Sequence, residues 1–367
     1  MAPHSLIDSH IHLWSAETTN EESHAWMTPP DMPLAKPHLL QDYYAVIDKA
    51  SSPDAELNVH GVVYVETDVR YAEPNGDVAV WARRPLDEIG FLRSLVEGRY
   101  GARDTGMLLG VVPWAPMHQP TRVLEEYLDL AQERAGPDTW RRVKGFRFLL
   151  QFYLDPAKFK ELVLSSDFIA NLKLLGKRGF SFDIGVDQHR ARVWQLEMMC
   201  EAMHKAHEGV NEGEKVIFIV NHMCKPKYEE VSSQSIDKPG GAFDEWCTAI
   251  SAMASCSWTY MKLSGQFSEL PPALESIKDI AESIRPWVNH VMSCFGPRRT
   301  MFGSDWPVCN VNGPLAGNSW LAWRDVVKLA LAGPDMNLSE LDREWVWTKT
   351  AAEAYRIRES LLVAKQT

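Results

Sequence analysis

Two histidines stand two positions apart in Leu6-Ile7-Asp8-Ser9-His10-Ile11-His12-Leu13-Trp14, where a run of strand character ends. In a strand, residues i and i+2 share a side and lie roughly 6.5–7 Å apart. Two imidazoles aimed into one cavity can hold a metal, polarise a carbonyl or relay a proton. Far along the chain, Met301-Phe302-Gly303-Ser304-Asp305-Trp306-Pro307 is a second such run, and it ends in a carboxylate. A His-x-His pair by itself reads as two surface histidines. A fold that carried it to Asp305 would make the three a site.

The elements that would position them recur along the chain as a short β-rich apolar run followed by a longer helical pattern. Strands are expected over 6–10, 61–67, 107–114, 143–149, 180–186, 215–221, 258–264 and 300–304, starting 35–55 residues apart. That spacing leaves room for crossover helices. Val123, Leu124, Tyr127, Leu128 and Ala131 form one helical stripe within 120–135, and Val193, Leu196, Met199 and Met203 another within 191–206. Val62-Val63-Tyr64-Val65 and Val216-Ile217-Phe218-Ile219-Val220 are apolar at successive positions, as strands covered on both faces are. Eight alternations predict an α/β chain folded as a (β/α)8 barrel of the TIM type, a single domain over 1–367. A doubly wound open sheet is the runner-up, but no G-x-G-x-x-G follows any strand. Residues 15–60 exceed a plain crossover and are expected to form an irregular loop and a helix near 38–50, lying over the barrel mouth. The tail, 338–362, reads as C-terminal helices whose Trp345, Trp347 and Tyr355 pack.

The bulk composition narrows the function. The 367 residues are 45% hydrophobic and 24% charged, with a net charge of −11. Nucleic acid and anionic membrane need clustered Lys and Arg and are not expected partners. No stretch reaches the 18–20 apolar residues of a membrane span, and the start of the chain lacks the basic head and apolar core of a secretory signal. Cys200, Cys224, Cys247, Cys256, Cys294 and Cys309 form no C-x-x-C pair, which favours free thiols in a cytoplasmic enzyme. Whether it forms a homo-oligomer is left open.

In a (β/α)8 barrel, functional groups gather at the C-terminal ends of the strands. Those positions here hold His10 and His12, Glu66 and Asp68, Arg147, Asn221 and His222, Lys262 and Ser264, and Asp305. Ionisable groups are rare in apolar strands unless paired or functional. Five segments, Ile7-Asp8-Ser9-His10-Ile11-His12-Leu13-Trp14, Val143-Lys144-Gly145-Phe146-Arg147, Asn221-His222-Met223-Cys224-Lys225-Pro226, Met261-Lys262-Leu263-Ser264-Gly265 and Phe302-Gly303-Ser304-Asp305-Trp306-Pro307, occur in that order. Together they resemble the lactonase branch of the amidohydrolase superfamily, the amidohydrolase 2 group, from about residue 5 to residue 357. Known members hydrolyse sugar-acid lactones and a pyrone dicarboxylate lactone. Within the group, Val63-Tyr64-Val65-Glu66-Thr67-Asp68 is most similar to fungal L-rhamnono-γ-lactonases. Binuclear relatives use a lysine or glutamate on strand four and a histidine on strand five. This chain has Arg147 on the one and no histidine on the other, so the resemblance implies one metal or none.

Asp305 is the candidate general base, a carboxylate able to take a proton from water and return it to a departing ring oxygen. His222, His10, His12 and Arg147 would surround the lactone carbonyl, each fixed donor to a developing oxyanion being worth about 3–4 kcal/mol. No cofactor is required on this reading. The alternative is a single divalent cation, zinc by preference, held by His10, His12 and Asp305, with Glu66 or water completing the shell. Glu66 and Asp68 would accept hydrogen bonds from substrate hydroxyls, and Trp14 and Trp306 would offer flat faces to a sugar. Lys144, Lys225 and Lys262 are expected to face packing, which favours a neutral lactone over a dicarboxylate. The expected reaction is hydrolysis of an aldonolactone, L-rhamnono-γ-lactone or a related deoxyhexonolactone, to its sugar acid. The alternatives are a metal-dependent decarboxylase of an aromatic or unsaturated acid, and a non-catalytic barrel that binds a sugar acid.

Overall fold

The computed structural model describes residues 4–27, 31–49, 57–228, 240–315, 317–333 and 336–358. Eight parallel strands alternate with helices: β1 (His4–Ile11), β2 (Leu57–Val65), β3 (Leu108–Val112), β4 (Gly145–Arg147), β5 (Ser181–Ile184), β6 (Ile217–Val220), β7 (Thr259–Leu263) and β8 (Thr300–Phe302). They pair in sequence order as a sheet of β1–β3 and a sheet of β4–β8. Parallel bridges join the sheets at both seams, Val111 with Val143 and Trp114 with Arg147 at one, Ile11 with Trp306 at the other. The (β/α)8 architecture expected from the sequence is therefore present, with β4 and β8 three residues long each.

Side chains alternate between two cores along each strand. Ile7, Val63, Val65, Leu109, Ile217, Ile219, Tyr260 and Met301 point into the barrel. Their neighbours Val62, Tyr64, Phe146, Phe182, Val220, Met261 and Phe302 point outward against the helices. Fully burying each aliphatic side chain stabilises the fold by about 1.5–3 kcal/mol. Helices such as Thr121–Trp140 and Trp194–His207 cover the outside where the sequence stripes predict them. No helix among the described residues is long and apolar enough to cross a membrane. All six cysteines are free.

The tail departs from a plain helical run. A helix Glu340–Glu344 passes through a π-helical turn, Trp345–Lys349, into a helix Thr350–Ala354. Ala351, Ala354, Tyr355 and Ile357 join the inner core. Arg356 donates to the carbonyl of Gly179 just before β5, and its own carbonyl accepts from Lys144 before β4. The tail thus plugs the N-terminal end of the barrel. Residues 359–362 of the predicted tail lie outside the described residues.

At the opposite end, the insertion turns back over the mouth. Trp14 and His38 exchange backbone hydrogen bonds of 3.0 Å, and the helix Leu40–Ile47 follows. Trp26 brings its ring to 5.0 Å from that of His12, edge to face. Residues 28–30 and 50–56 of this region lie outside the described residues.

One buried carboxylate fastens the seam between β1 and β8. Asp8 Oδ1 accepts from the backbone N–H of Ser304 (2.8 Å) and of His10 (3.3 Å). Its Oδ2 accepts from Tyr43 Oη (2.8 Å), on Leu40–Ile47, and from Trp320 Nε1 (3.0 Å), on the helix Ser319–Leu331. Removing it would leave several buried donors without an acceptor, at about 1–3 kcal/mol each. Asp8→Ala is expected to lower the unfolding free energy by about 3 kcal/mol or more, measured by denaturant titration. A loss below about 1 kcal/mol would show that the seam does not depend on this carboxylate.

Candidate active site

Closure at that seam carries the last strand end to the first. The backbone N–H of Asp305 donates to the carbonyl of His10 (2.9 Å), and that of His12 to the carbonyl of Trp306 (2.8 Å). Asp305 Oδ1 then lies 3.3 Å from His12 Nε2 and 3.7 Å from Nε2 of both His10 and His222. The residues expected at the ends of β1, β6 and β8 meet in one buried cluster.

The protonation states follow from burial and neighbours. Burial pushes the Asp305 carboxyl up, but His222, His12 and Lys225 outweigh it and hold it at about 2. Burial pushes the His222 imidazole down to about 3, against the pull of Asp305. His10 is held well below its ordinary range, by burial first and by Lys262 next. At neutral pH Asp305 is a carboxylate beside uncharged His10 and His222 rings. A neutral His222 supports it as an N–H donor, not as a cation. Ser264 Oγ lies 2.9 Å from His222 Nδ1, and donation from that hydroxyl leaves the ring hydrogen on Nε2, facing Asp305.

Arg147 enters from β4 and is fixed by β2. Its Nε donates to Glu66 Oε1 (2.6 Å) and its Nη2 to the Glu66 carbonyl (2.5 Å). Glu66 Oε2 accepts from the backbone N–H of Asp68 (2.6 Å). Both Glu66 oxygens accept hydrogen bonds within the protein, and the carboxylate holds Arg147 at the end of β4. Asp68, half-buried at the rim, is pushed up to about 6 by burial and by Glu66, with Arg147 and Arg70 opposing.

The tryptophans of the two key motifs are packed against the insertion. Trp14 is buried, donates from Nε1 to the Lys36 carbonyl (2.7 Å) and packs on His38 and Trp26. Trp306 is buried against His38 and Tyr43. Trp26, not singled out in the sequence, is the aromatic residue against His12. Lys262 and Tyr355, expected to pack, and Asp183 on β5, not singled out, form one row: Tyr355 donates to Asp183, Lys262 donates to the same oxygen, and Lys262 reaches His10. The charges of Asp183 and Lys262 within apolar strands were the sequence signal for two of the three. A cavity of about 1640 Å³ lies beside the mouth, lined by Thr18, Glu21, His24, Arg84, Asp87 and Arg134 among others. Of its arginines, Arg84 pairs with Glu22 and Arg134 with Asp87, and of the expected site residues only Trp14 borders it.

Donor spacing and donor chemistry disagree over a metal. His10, His222 and Asp305 each offer a ligand atom, all within 4.8 Å of one another, a spacing that suits one cation. A metal-bound histidine, however, gives one nitrogen to the ion and donates its other N–H to a carbonyl or carboxylate. His12 has that arrangement, with Nδ1 at 2.8 Å from the Val65 carbonyl. His10 Nδ1 instead faces Lys262 Nζ at 3.1 Å. The Ser264 hydroxyl beside His222 can reverse, whereas an ammonium has no lone pair to offer. The set as protonated does not fit a metal.

The loops that present these groups are strained. His222, Met223, Cys224 and Lys225 all have positive φ (56°, 48°, 60° and 45°), as do Asp305 (60°) and Asp68 (55°). Non-glycine residues adopt such angles at a cost of order 1–3 kcal/mol each, where the surroundings over-determine them. Gly265 at the end of β7 has φ +71°, and a Cβ there would meet His222 Nδ1 at 2.4 Å.

Comparison with known proteins identifies the family. A family model described as amidohydrolase matches residues 7–357. The chain is similar to an L-rhamnono-γ-lactonase of Scheffersomyces stipitis, 26% identical over 366 residues that cover 97% of this chain and 100% of that protein. It is similar to an L-fucono-1,5-lactonase of Burkholderia multivorans, 26% identical over 355 residues and covering 96% of each. Among solved structures, an amidohydrolase from Burkholderia multivorans with bound zinc superposes with a TM-score of 0.68 at 22% identity, covering 96% of this chain and 99% of that one.

Gly265→Ala is expected to displace His222 and lower turnover about 100-fold, with little change in far-UV circular dichroism. Turnover within about twofold of wild type would show that the position of His222 is not critical.

Proposed function

Because the chain belongs to the amidohydrolase family, we propose that it hydrolyses a neutral sugar-acid lactone to the open sugar acid. The observation that carries this reading is the ionised Asp305 ringed by His10, His12 and His222, with Arg147 clamped at the end of β4. Water attacks the lactone carbonyl carbon as Asp305 takes one of its protons. The negative charge that develops on the carbonyl oxygen is met by Arg147, always protonated, and by imidazole N–H donors. The tetrahedral intermediate then breaks its bond to the ring oxygen, which leaves with the proton held on Asp305. Water's oxygen ends in the new carboxyl group, and Asp305 is again ionised.

Charge pairing supports a neutral substrate. Lys225 is paired with Glu269 (2.8 Å), Lys262 with Asp183 (2.8 Å), and Lys144 donates to backbone carbonyls at the plugged end. None of the three stands ready for a second carboxylate. Asp68 at the rim suits vicinal hydroxyls. The finer assignment, L-rhamnono-γ-lactone or a related deoxyhexonolactone, is supported by the full-length similarity to the Scheffersomyces enzyme. A decarboxylase reading calls for a further histidine on β5, where Asp183 stands hydrogen-bonded to Lys262 and Tyr355.

The test is acid release from a panel of neutral aldonolactones by chelator-stripped protein. Hydrolysis of a deoxyhexonolactone is expected, and Asp305→Asn should lower kcat about 1,000-fold with the fold intact. Turnover only of aromatic acids after manganese or zinc is added would replace this reading with the decarboxylase.

A pH dependence follows from Asp68. Its carboxylate form accepts hydroxyl hydrogen bonds and is lost as pH falls through about 6. Asp305 stays ionised down to about 2. KM should therefore rise below pH 6 while kcat holds, and Asp68→Asn should remove that dependence. A kcat that falls with the same midpoint would assign the titration to the proton-transfer step instead.

A further inference from the structure

A row of buried polar groups connects the tail plug to the site. Tyr355 Oη donates to Asp183 Oδ2 (2.8 Å), the same oxygen accepts from Lys262 Nζ (2.8 Å), and Lys262 Nζ lies 3.1 Å from His10 Nδ1. Lys262 and Asp183 are fully buried, and Tyr355 nearly so. We propose that Lys262, held by Asp183 and Tyr355, is a positioning residue that locks His10 as its Nε2–H tautomer, keeping that nitrogen a hydrogen-bond donor and withholding it from a metal.

The chemistry of the donors carries this. A lysine ammonium has three hydrogens to give and no acceptor. A buried ammonium persists only when paired and hydrogen-bonded, and Asp183 supplies the counter-charge. Burial pulls Lys262 down from its ordinary range, and Asp183 opposes that pull. With Nζ donating, His10 Nδ1 accepts, and the single hydrogen of the neutral ring must sit on Nε2. There it faces His12 Nε2 at 3.2 Å, whose own Nδ1 is turned to the Val65 carbonyl. His10 Nε2, with its hydrogen, thus lies beside His12 Nε2 and 3.7 Å from Asp305 Oδ1 in the resting site. An entering carbonyl oxygen can take that hydrogen. This last use rests on the lactonase reading; the tautomer does not.

Tyr355 makes the lock depend on the tail. Its hydroxyl fixes the Asp183 oxygen that holds Lys262, and its ring lies 5.2 Å from Nζ. The C-terminal plug thereby sets the proton position on a histidine at the other end of the barrel.

Long-range 1H–15N correlation spectra of the full-length, histidine-labelled protein test this, with His10 assigned by the signal lost in His10→Asn. The wild type is expected to show His10 protonated on Nε2 and bare on Nδ1. Lys262→Met should move the hydrogen to Nδ1 or give an exchange average, and raise zinc affinity by calorimetry about tenfold. Tyr355→Phe, which keeps the ring, should shift the same signals part of the way. A wild-type His10 carrying its hydrogen on Nδ1 overturns the proposal without any variant. A Lys262→Met protein with unchanged His10 signals and zinc affinity overturns it too. If that variant does not fold, the wild-type and Tyr355→Phe spectra decide. The expected tautomer in a protein that turns over no lactone would remove the lactonase reading and leave the lock standing.

Discussion

The site exists because the first strand of the barrel is held against the last. His10 and Asp305 are remote in sequence, and only the hydrogen bond from the Asp305 N–H to the His10 carbonyl and its neighbours at the seam bring them within 4 Å. Strand β8 is three residues long and offers few ladder bonds of its own. Asp8 compensates by gathering four donors from β1, the β8 loop and two covering helices. A carboxylate so deeply buried is pushed up by desolvation, with the bonds from Ser304, Trp320 and Tyr43 opposing the shift. A reactive cluster and a structural staple therefore share one loop, Ser304 serving Asp8 while Asp305 serves the site.

Inside the mouth, charge is cancelled in pairs and left over at one point. Arg147 with Glu66, Lys262 with Asp183 and Lys225 with Glu269 each neutralise locally. Buried pairs of this kind contribute little net stability, but breaking one leaves an uncompensated charge. What remains is Asp305, ionised beside neutral His10 and His222. A fixed negative charge with N–H donors around it can take a proton from water but offers nothing to an anionic substrate beyond Arg147. The neutral lactone proposed as substrate thus rests on the whole pocket and not on one residue.

Much of this was legible because strand periodicity is a strong signal. Successive apolar residues at 62–65 and 216–220 mark two-faced burial, and the strand ends that follow are where His10, His12, Arg147, His222 and Asp305 come together. What was not legible depends on which way a side chain turns once the chain is packed. Trp14 and Trp306 flank the key motifs in sequence but are drawn into contacts with His38 and Tyr43 from the insertion. Glu66 faces Arg147, a residue 81 positions away. Tyr355 reads as one more packing aromatic in a helical tail, since nothing local indicates that the tail enters the barrel.

The same limit explains why spacing alone misleads about a metal. Three ligand atoms within 4.8 Å satisfy a distance criterion that any coordinated ion would also satisfy. Coordination further requires a lone pair on each inward nitrogen, and that is decided by the partner of the outward one. The Val65 carbonyl prepares His12 as a ligand, the Ser264 hydroxyl leaves His222 able to serve either way, and the Lys262 ammonium prepares His10 as a donor. Two sites with identical inward geometry can therefore differ in metal demand through residues that never touch the ion. In this chain the deciding contact comes from a lysine on β7, supported from the far end of the barrel by Asp183 and Tyr355.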